Sequence, residues 1–212
     1  KDHGFVTADA LYSQADIAMR RAKQDRGNAL QHYTKDMTHS AEKELKLEAE
    51  IRRSLRKEEF VLHFQPRIDM GSGRIVGAEA LIRWQHPTQG LLSPAAFIRV
   101  AEDSGLIVPL GYWIIDAACR YLTEQTSQGY GEIQIAVNVA FKQFQDKNFV
   151  QTVANIIKKH GIRPGRLEIE LTETTMMIEG NSVDHSLREL NNLGIAISLD
   201  DFGTGYSSFA HI

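Results

Sequence analysis

The chain has 212 residues, with 24 Lys and Arg against 27 Asp and Glu and 42% hydrophobic residues, an ordinary globular composition long enough for one large domain, or for one domain plus part of another. No apolar run approaches the ~18 residues of a membrane span, no basic tract marks a binder of nucleic-acid phosphates, and the only cysteine, Cys119, allows neither an intrachain disulfide nor a Cys-rich zinc site. Residues 1–10 lack the apolar core of a signal peptide, so the expected setting is reducing and cytoplasmic, and the absence of an initial Met suggests an excised piece.

Three regions separate by pattern. In residues 1–37, Thr7 or Asp9 can cap a helix on which Leu11, Ala15, Ala18 and Ala22 recur at helical spacing, with Arg20, Arg21 and Lys23 in its last turns. Gly27-Asn28 ends that helix, and residues 29–33 read as a short strand. This is too little to enclose a core, so the region reads as the tail of another domain. Residues 38–57 carry many charges and no Gly or Pro, with Leu47, Ile51 and Leu55 four apart, which predicts a helical connector.

Residues 58–212 alternate strands and helices. Residues 60–65 and 74–84 read as a hairpin around Met70-Gly71-Ser72-Gly73. Ser93-Pro94 opens a helix that Gly105 closes, and another runs over 109–128. Strands at 133–139, 166–171 and 195–199 then alternate with helices over 146–160 and up to Gly194, the βα pattern of a parallel sheet.

Strand parity selects the polar residues. Glu79 and Arg83 share a face with Gly77 and Leu81, Asn138 opposes Ile135, Val137 and Val139, Glu168 and Glu170 oppose Leu167, Ile169 and Leu171, and Asp200 opposes Ile197 and Leu199. The apolar faces should pack on helices, leaving Glu79, Asn138, Glu170 and Asp200 to converge near strand carboxyl ends, with Asp201 following. Convergent carboxylates repel unless a counter-charge sits among them. Oxygen donors without Cys or His favour Mg²⁺, Mn²⁺ or Ca²⁺, and adjacent Asp200-Asp201 could reach two ions, a device suited to phosphodiester hydrolysis. The alternative is that these are solvated strand-end residues bonded to nearby loops. Arg83 can meet a metal-held phosphate or pair internally with Glu79. The loop from Asp201 to Ser208 has two glycines but not the Lys-Ser/Thr end of a Walker loop. His63, His86, His160 and His185 show no ligand or triad spacing, and Cys119 has no base nearby in sequence.

Glu79-Ala80-Leu81 with Arg83-Trp84, Phe64-Gln65-Pro66, Ser93-Pro94, residues 101–107, Val137-Asn138-Val139, Glu170-Leu171-Thr172-Glu173 and residues 200–208 together resemble EAL-domain cyclic-di-GMP phosphodiesterases from about Glu48 onward. Ala15 to Met19, Ala22-Lys23, Gly27-Asn28 and Tyr33 resemble the end of a GGDEF diguanylate cyclase domain, although the GGDEF motif itself is absent. The resemblance implies an α/β fold, a modified TIM (β/α) barrel of EAL type whose first strand is antiparallel. It divides the chain into a GGDEF remnant at 1–37, a helical linker at 38–57 and the N-terminal part of an EAL barrel at 58–212. It implies hydrolysis of cyclic-di-GMP to the linear dinucleotide pGpG with two Mg²⁺ or Mn²⁺ ions, Glu79, Asn138, Glu170, Asp200 and Asp201 as metal ligands, and a catalytic set of Glu79, Asp200, Asp201 and Glu173. Gln65 and Arg83 would touch substrate, Glu173 would anchor the loop from Asp201, and the domain would form a homodimer with no nucleic-acid or membrane partner. Further barrel strands, with a Lys and a Glu of the active family, are expected beyond Ile212. The alternative is a receptor that binds the dinucleotide without cutting it.

Overall fold

The computed structural model describes residues 7–24, 30–128, 133–172 and 181–200, with only the backbone at 24, 172, 181, 182 and 200. The chain divides into two compact units, residues 1–50 and 51–212. In the first, helix α1 (Ala8–Gln24) starts where Thr7 Oγ1 accepts the Ala10 N–H at 3.3 Å. An Asp16–Arg20 pair one turn apart follows at 2.9 Å. Residues 30–34 form no strand; they lead into helix α2 (Lys35–Arg56), and the Tyr33 and Thr38 hydroxyls hydrogen-bond at 2.7 Å across its start. Leu11, Tyr12, Met19 and Leu45 are exposed in this unit.

The second unit begins inside α2, at a buried Ile51 and Ser54. Ser54 Oγ donates to Glu59 Oε2 at 2.5 Å, fixing the chain as it leaves the helix. Strand β1 (Phe60–Ile68) pairs antiparallel with β2 (Ile75–His86), and a short β3 (Gly90–Leu92) pairs with the far end of β2. Asp69 Oδ1 accepts from the N–H and Oγ of Ser72 and so closes the hairpin turn. The first strand runs on through Pro66, which has no N–H to donate. Among the described strands β1 lies at one end of the order β1-β2-β4-β5-β6, where a missing donor is tolerated.

From β2 onward the sheet is parallel. A single turn of 3₁₀ helix at Pro94–Ala96 precedes α3 (Ile98–Asp103), which ends at Gly105. Helix α4 (Ile107–Ser127) leads to β4 (Gln134–Asn138). A short helix α5 (Phe141–Phe144) comes first, and the helix expected over 146–160 is α6 (Phe149–His160), which starts three residues later. Gly161 then takes a left-handed φ of 62°, and the Ile162 N–H returns to the Ile157 carbonyl, closing α6. Strand β5 (Leu167–Thr172), helix α7 (Asn181–Asn192) and strand β6 (Ala196–Asp200) follow.

The core lies between the sheet and these helices. Ile135, Val137, Leu167, Ile169 and Leu171 are buried on the strands, and Leu110, Ile115, Ala118, Cys119 and Leu122 are buried on α4. Phe60, Trp84, Phe97 and Trp113 form an aromatic cluster at the hairpin end, with ring centroids 5.3 to 6.0 Å from Phe60. Among the described residues no helix is long and apolar enough to cross a membrane.

Candidate functional site

The opposite face of the sheet is polar, and its register decides which residues meet. Gln65 faces Glu79 across the β1–β2 pair, and Glu79 lies level with Ala136 on β4. Asn138 lies level with Glu170 on β5, and Thr172 lies level with Asp200 on β6. Glu79, then Asn138 and Glu170, then Asp200 therefore climb by two residues at a time across the strands. In a curled sheet of tilted strands, such a stagger brings residues of successive strands to a common level.

That the sheet does curl toward this face follows from one side chain. Arg67 of β1 donates through Nη1 to Glu168 Oε2 at 3.1 Å and through Nη2 to Glu170 Oε1. With β2 and β4 between them, β1 and β5 would lie ~14 Å apart in a flat sheet, and side chains standing off it would not meet. Gly77, opposite Arg67 in register, and Ala136, level with Glu168, leave room for the crossing.

The acidic residues divide by their partners. Glu168 is 8% exposed, and both its oxygens are engaged, Oε2 by Arg67 and Oε1 by the Ser198 hydroxyl at 2.5 Å. Glu170 is 5% exposed; Arg67 holds its Oε1, while its buried Oε2 has no hydrogen-bond partner among the described residues. Asn138 Nδ2 donates to Glu79 Oε1 at 2.7 Å. Glu79 and Asn138 are thus in contact, and Glu170 sits beside Asn138 on the next strand. Arg83 turns back to its own strand, donating to the Ile82 carbonyl at 2.8 Å, and makes no ion pair with Glu79 among the described contacts. The side chain of Asp200, and all of Glu173, Asp201 and the loop to Ser208, lie outside the described residues.

Two features of this face escape the sequence reading. The counter-charge for the acidic strand is supplied by Arg67, and Glu168 is part of the polar network. Parity places Arg67 in phase with Gln65, but nothing local pairs it with residues 101 and 103 positions away. Among the described residues no three His, Cys, Asp or Glu side chains gather tightly enough to cage an ion. Even so, the donor set suits a hard divalent cation. It is all oxygen or amide, and a carboxylate oxygen buried without a partner costs free energy that a cation would recover.

The histidines play other parts. His86 is buried, and its Nδ1 accepts the backbone N–H groups of Thr88 and Gln89 at 3.3 and 3.2 Å, shaping the turn into β3. His160 Nε2 and Lys159 Nζ donate to Asp116 at 3.0 and 2.7 Å and tie α6 to α4. Burial raises the Asp116 pKa, but these two partners outweigh it and hold the carboxyl below its ordinary range.

The chain belongs to the EAL domain family, which matches residues 48–212. It is 37% identical over 206 residues to the bifunctional diguanylate cyclase/cyclic di-GMP phosphodiesterase MucR of Pseudomonas aeruginosa, an alignment covering 97% of this chain and 30% of that protein. Cyclic di-GMP phosphodiesterase NbdA of the same organism is 35% identical over 204 residues, 96% of this chain and 26% of NbdA. The chain therefore spans less than a third of either relative. Among solved structures, the PaMucR phosphodiesterase in its c-di-GMP complex is 40% identical, with a TM-score of 0.72 over 77% of this chain and 66% of that one.

Proposed function

We propose that this chain carries part of the active site of a phosphodiesterase that hydrolyses one phosphodiester of cyclic-di-GMP to the linear dinucleotide pGpG with the help of divalent Mg²⁺ or Mn²⁺. The observation that carries the reading is the Glu79–Asn138 contact beside a buried Glu170 with one oxygen unpartnered, on the polar face of an EAL fold. Glu79, Asn138, Glu170 and Asp200 would hold one ion, and Asp201 would serve a second. Such ions supply Lewis acidity and water of lowered pKa.

The chain's own residues prepare that chemistry. Asn138 orients the Glu79 carboxylate by donating to Oε1. Gln65 faces Glu79 across the β1–β2 pair and would meet the substrate there. Arg83, on the same strand face as Glu79, is the cation assigned to the substrate phosphate; reaching it requires release of the Ile82 carbonyl. Glu173 would anchor the loop beginning at Asp201, and that loop would couple the site to a homodimer interface. In the reaction, water oxygen adds to phosphorus and one P–O ester bond breaks. The ring opens to a terminal phosphate and a free hydroxyl.

The MucR alignment reaches upstream of residue 48, which supports reading residues 1–37 as the end of a diguanylate cyclase-like domain and 38–57 as a helical linker. Incubating the protein with cyclic-di-GMP and Mn²⁺ should give pGpG by chromatography. A second reading is binding without hydrolysis, for which the Arg67 contacts balance part of the charge on Glu168 and Glu170. Tight binding with no linear product would establish that second reading and overturn the first.

A further inference from the structure

We infer that Arg67 is a positioning residue for the metal site: it clamps Glu170 by one carboxylate oxygen and presents the other to the cation. The inference rests on the functional reading above and deepens it.

The geometry supports it in three steps. Arg67 forks across two carboxylates on β5 that lie two residues apart on the same face. Their remaining oxygens are treated differently. Glu168 Oε1 takes the Ser198 hydroxyl, so that carboxylate is saturated and serves to anchor the guanidinium. Glu170 Oε2 is buried and has no partner among the described residues. A guanidinium holding only Glu168 would be an ordinary ion pair. One that also fixes Oε1 of Glu170 sets the rotation of that carboxylate about its last bond, and so decides where Oε2 points.

The charges agree. Two buried carboxylates on one strand face repel unless a cation lies between them. A single guanidinium on Glu168 and on Oε1 of Glu170 supplies that cation while leaving one oxygen available. A lysine could match the charge but not the fork, because its ammonium is a point donor and the guanidinium is a planar pair of donors. Gly77 and Ala136 keep the path across the face clear.

The test measures Mn²⁺ binding by the loss of the free-ion EPR signal, on wild type, Arg67→Gln and Arg67→Lys, with no substrate present. Wild type should bind. Arg67→Gln should bind about tenfold to 100-fold more weakly, the usual effect of removing an outer partner of a metal ligand, and Arg67→Lys should recover only part of the loss. Unchanged or tighter binding by Arg67→Gln, alongside a wild type that binds, overturns the positioning role and leaves the phosphodiesterase reading standing. A wild type that binds no Mn²⁺ overturns that reading, and the inference with it. If Arg67→Gln does not fold, Glu168→Gln keeps the arginine and removes one of its two anchors. It should weaken Mn²⁺ binding several-fold, and wild-type affinity in that variant overturns the inference.

Discussion

At the scale of single residues, the polar face separates side chains that hold the structure from those assigned to chemistry. Glu168 has both oxygens satisfied, whereas Glu79 is half-exposed with Asn138 on one oxygen. Glu79→Ala should therefore lower turnover of cyclic-di-GMP by more than about 100-fold, the scale of losing one electrostatic partner of a transition state, with little change in melting temperature. Wild-type turnover in that variant would remove Glu79 from the site. Asp116 makes a contrasting case. Its depressed pKa means that its stabilisation is complete above the ordinary aspartate value of 3.8 and is lost as pH falls through the lower, folded-state value. Asp116→Asn should cost about 1–2 kcal/mol at neutral pH, measured by urea melts. The gap from wild type should close in strongly acidic buffer, and a gap that persists there would mean that packing, not charge, is what the substitution disturbs.

At the scale of elements, the β2–β4 pairing depends on a missing side chain. A Cβ on Gly77 would fall 2.6 Å from the Gln134 carbonyl oxygen, a backbone atom that cannot step aside without moving its strand. Gly77→Ala should cost roughly 1–3 kcal/mol, as overpacking does, and should also disturb the face that Arg67 crosses. A melting curve unchanged from wild type would show that the two strands have slack in their spacing. The strands themselves were legible because their period is short: Ile135 and Val137 against Asn138, and Ile169 and Leu171 against Glu170, and the apolar set is buried as that pattern predicts, while Glu168 and Glu170 in the other phase are buried as well. Pro66 misled the reading of β1 because its cost depends on where a strand sits in the sheet, which sequence does not state. The start of α6 was placed too early because Asp146 and Asn148 both suit a helix start, whereas Asp146 Oδ1 accepts the Asn148 N–H at 3.0 Å in the turn before the helix.

At the scale of the whole molecule, the sheet and its helices shield what lies between them. Cys119 is fully buried on α4, and burial, with Asp116 nearby, pushes its thiol up to about 12. The thiolate is the reactive form, so a disulfide reagent should label Cys119 only as fast as the fold opens, with the rate rising steeply through the denaturant transition. Rapid labelling in native buffer would show that α4 leaves the sheet independently. The family-level fold was readable from short motifs, whereas the Arg67 clamp was not, because its partners are distant along the chain and become neighbours only through curvature. That same distance has a kinetic consequence during synthesis. Arg67 leaves the ribosome 101 residues before Glu168, a delay of roughly 5–20 s at ordinary translation rates. Until then the guanidinium has no acidic partner on β5. The concave surface is thus completed late, after the hairpin and α4 have had time to settle, and a nascent chain paused before residue 168 would present that surface to chaperones with its central ion pair unmade.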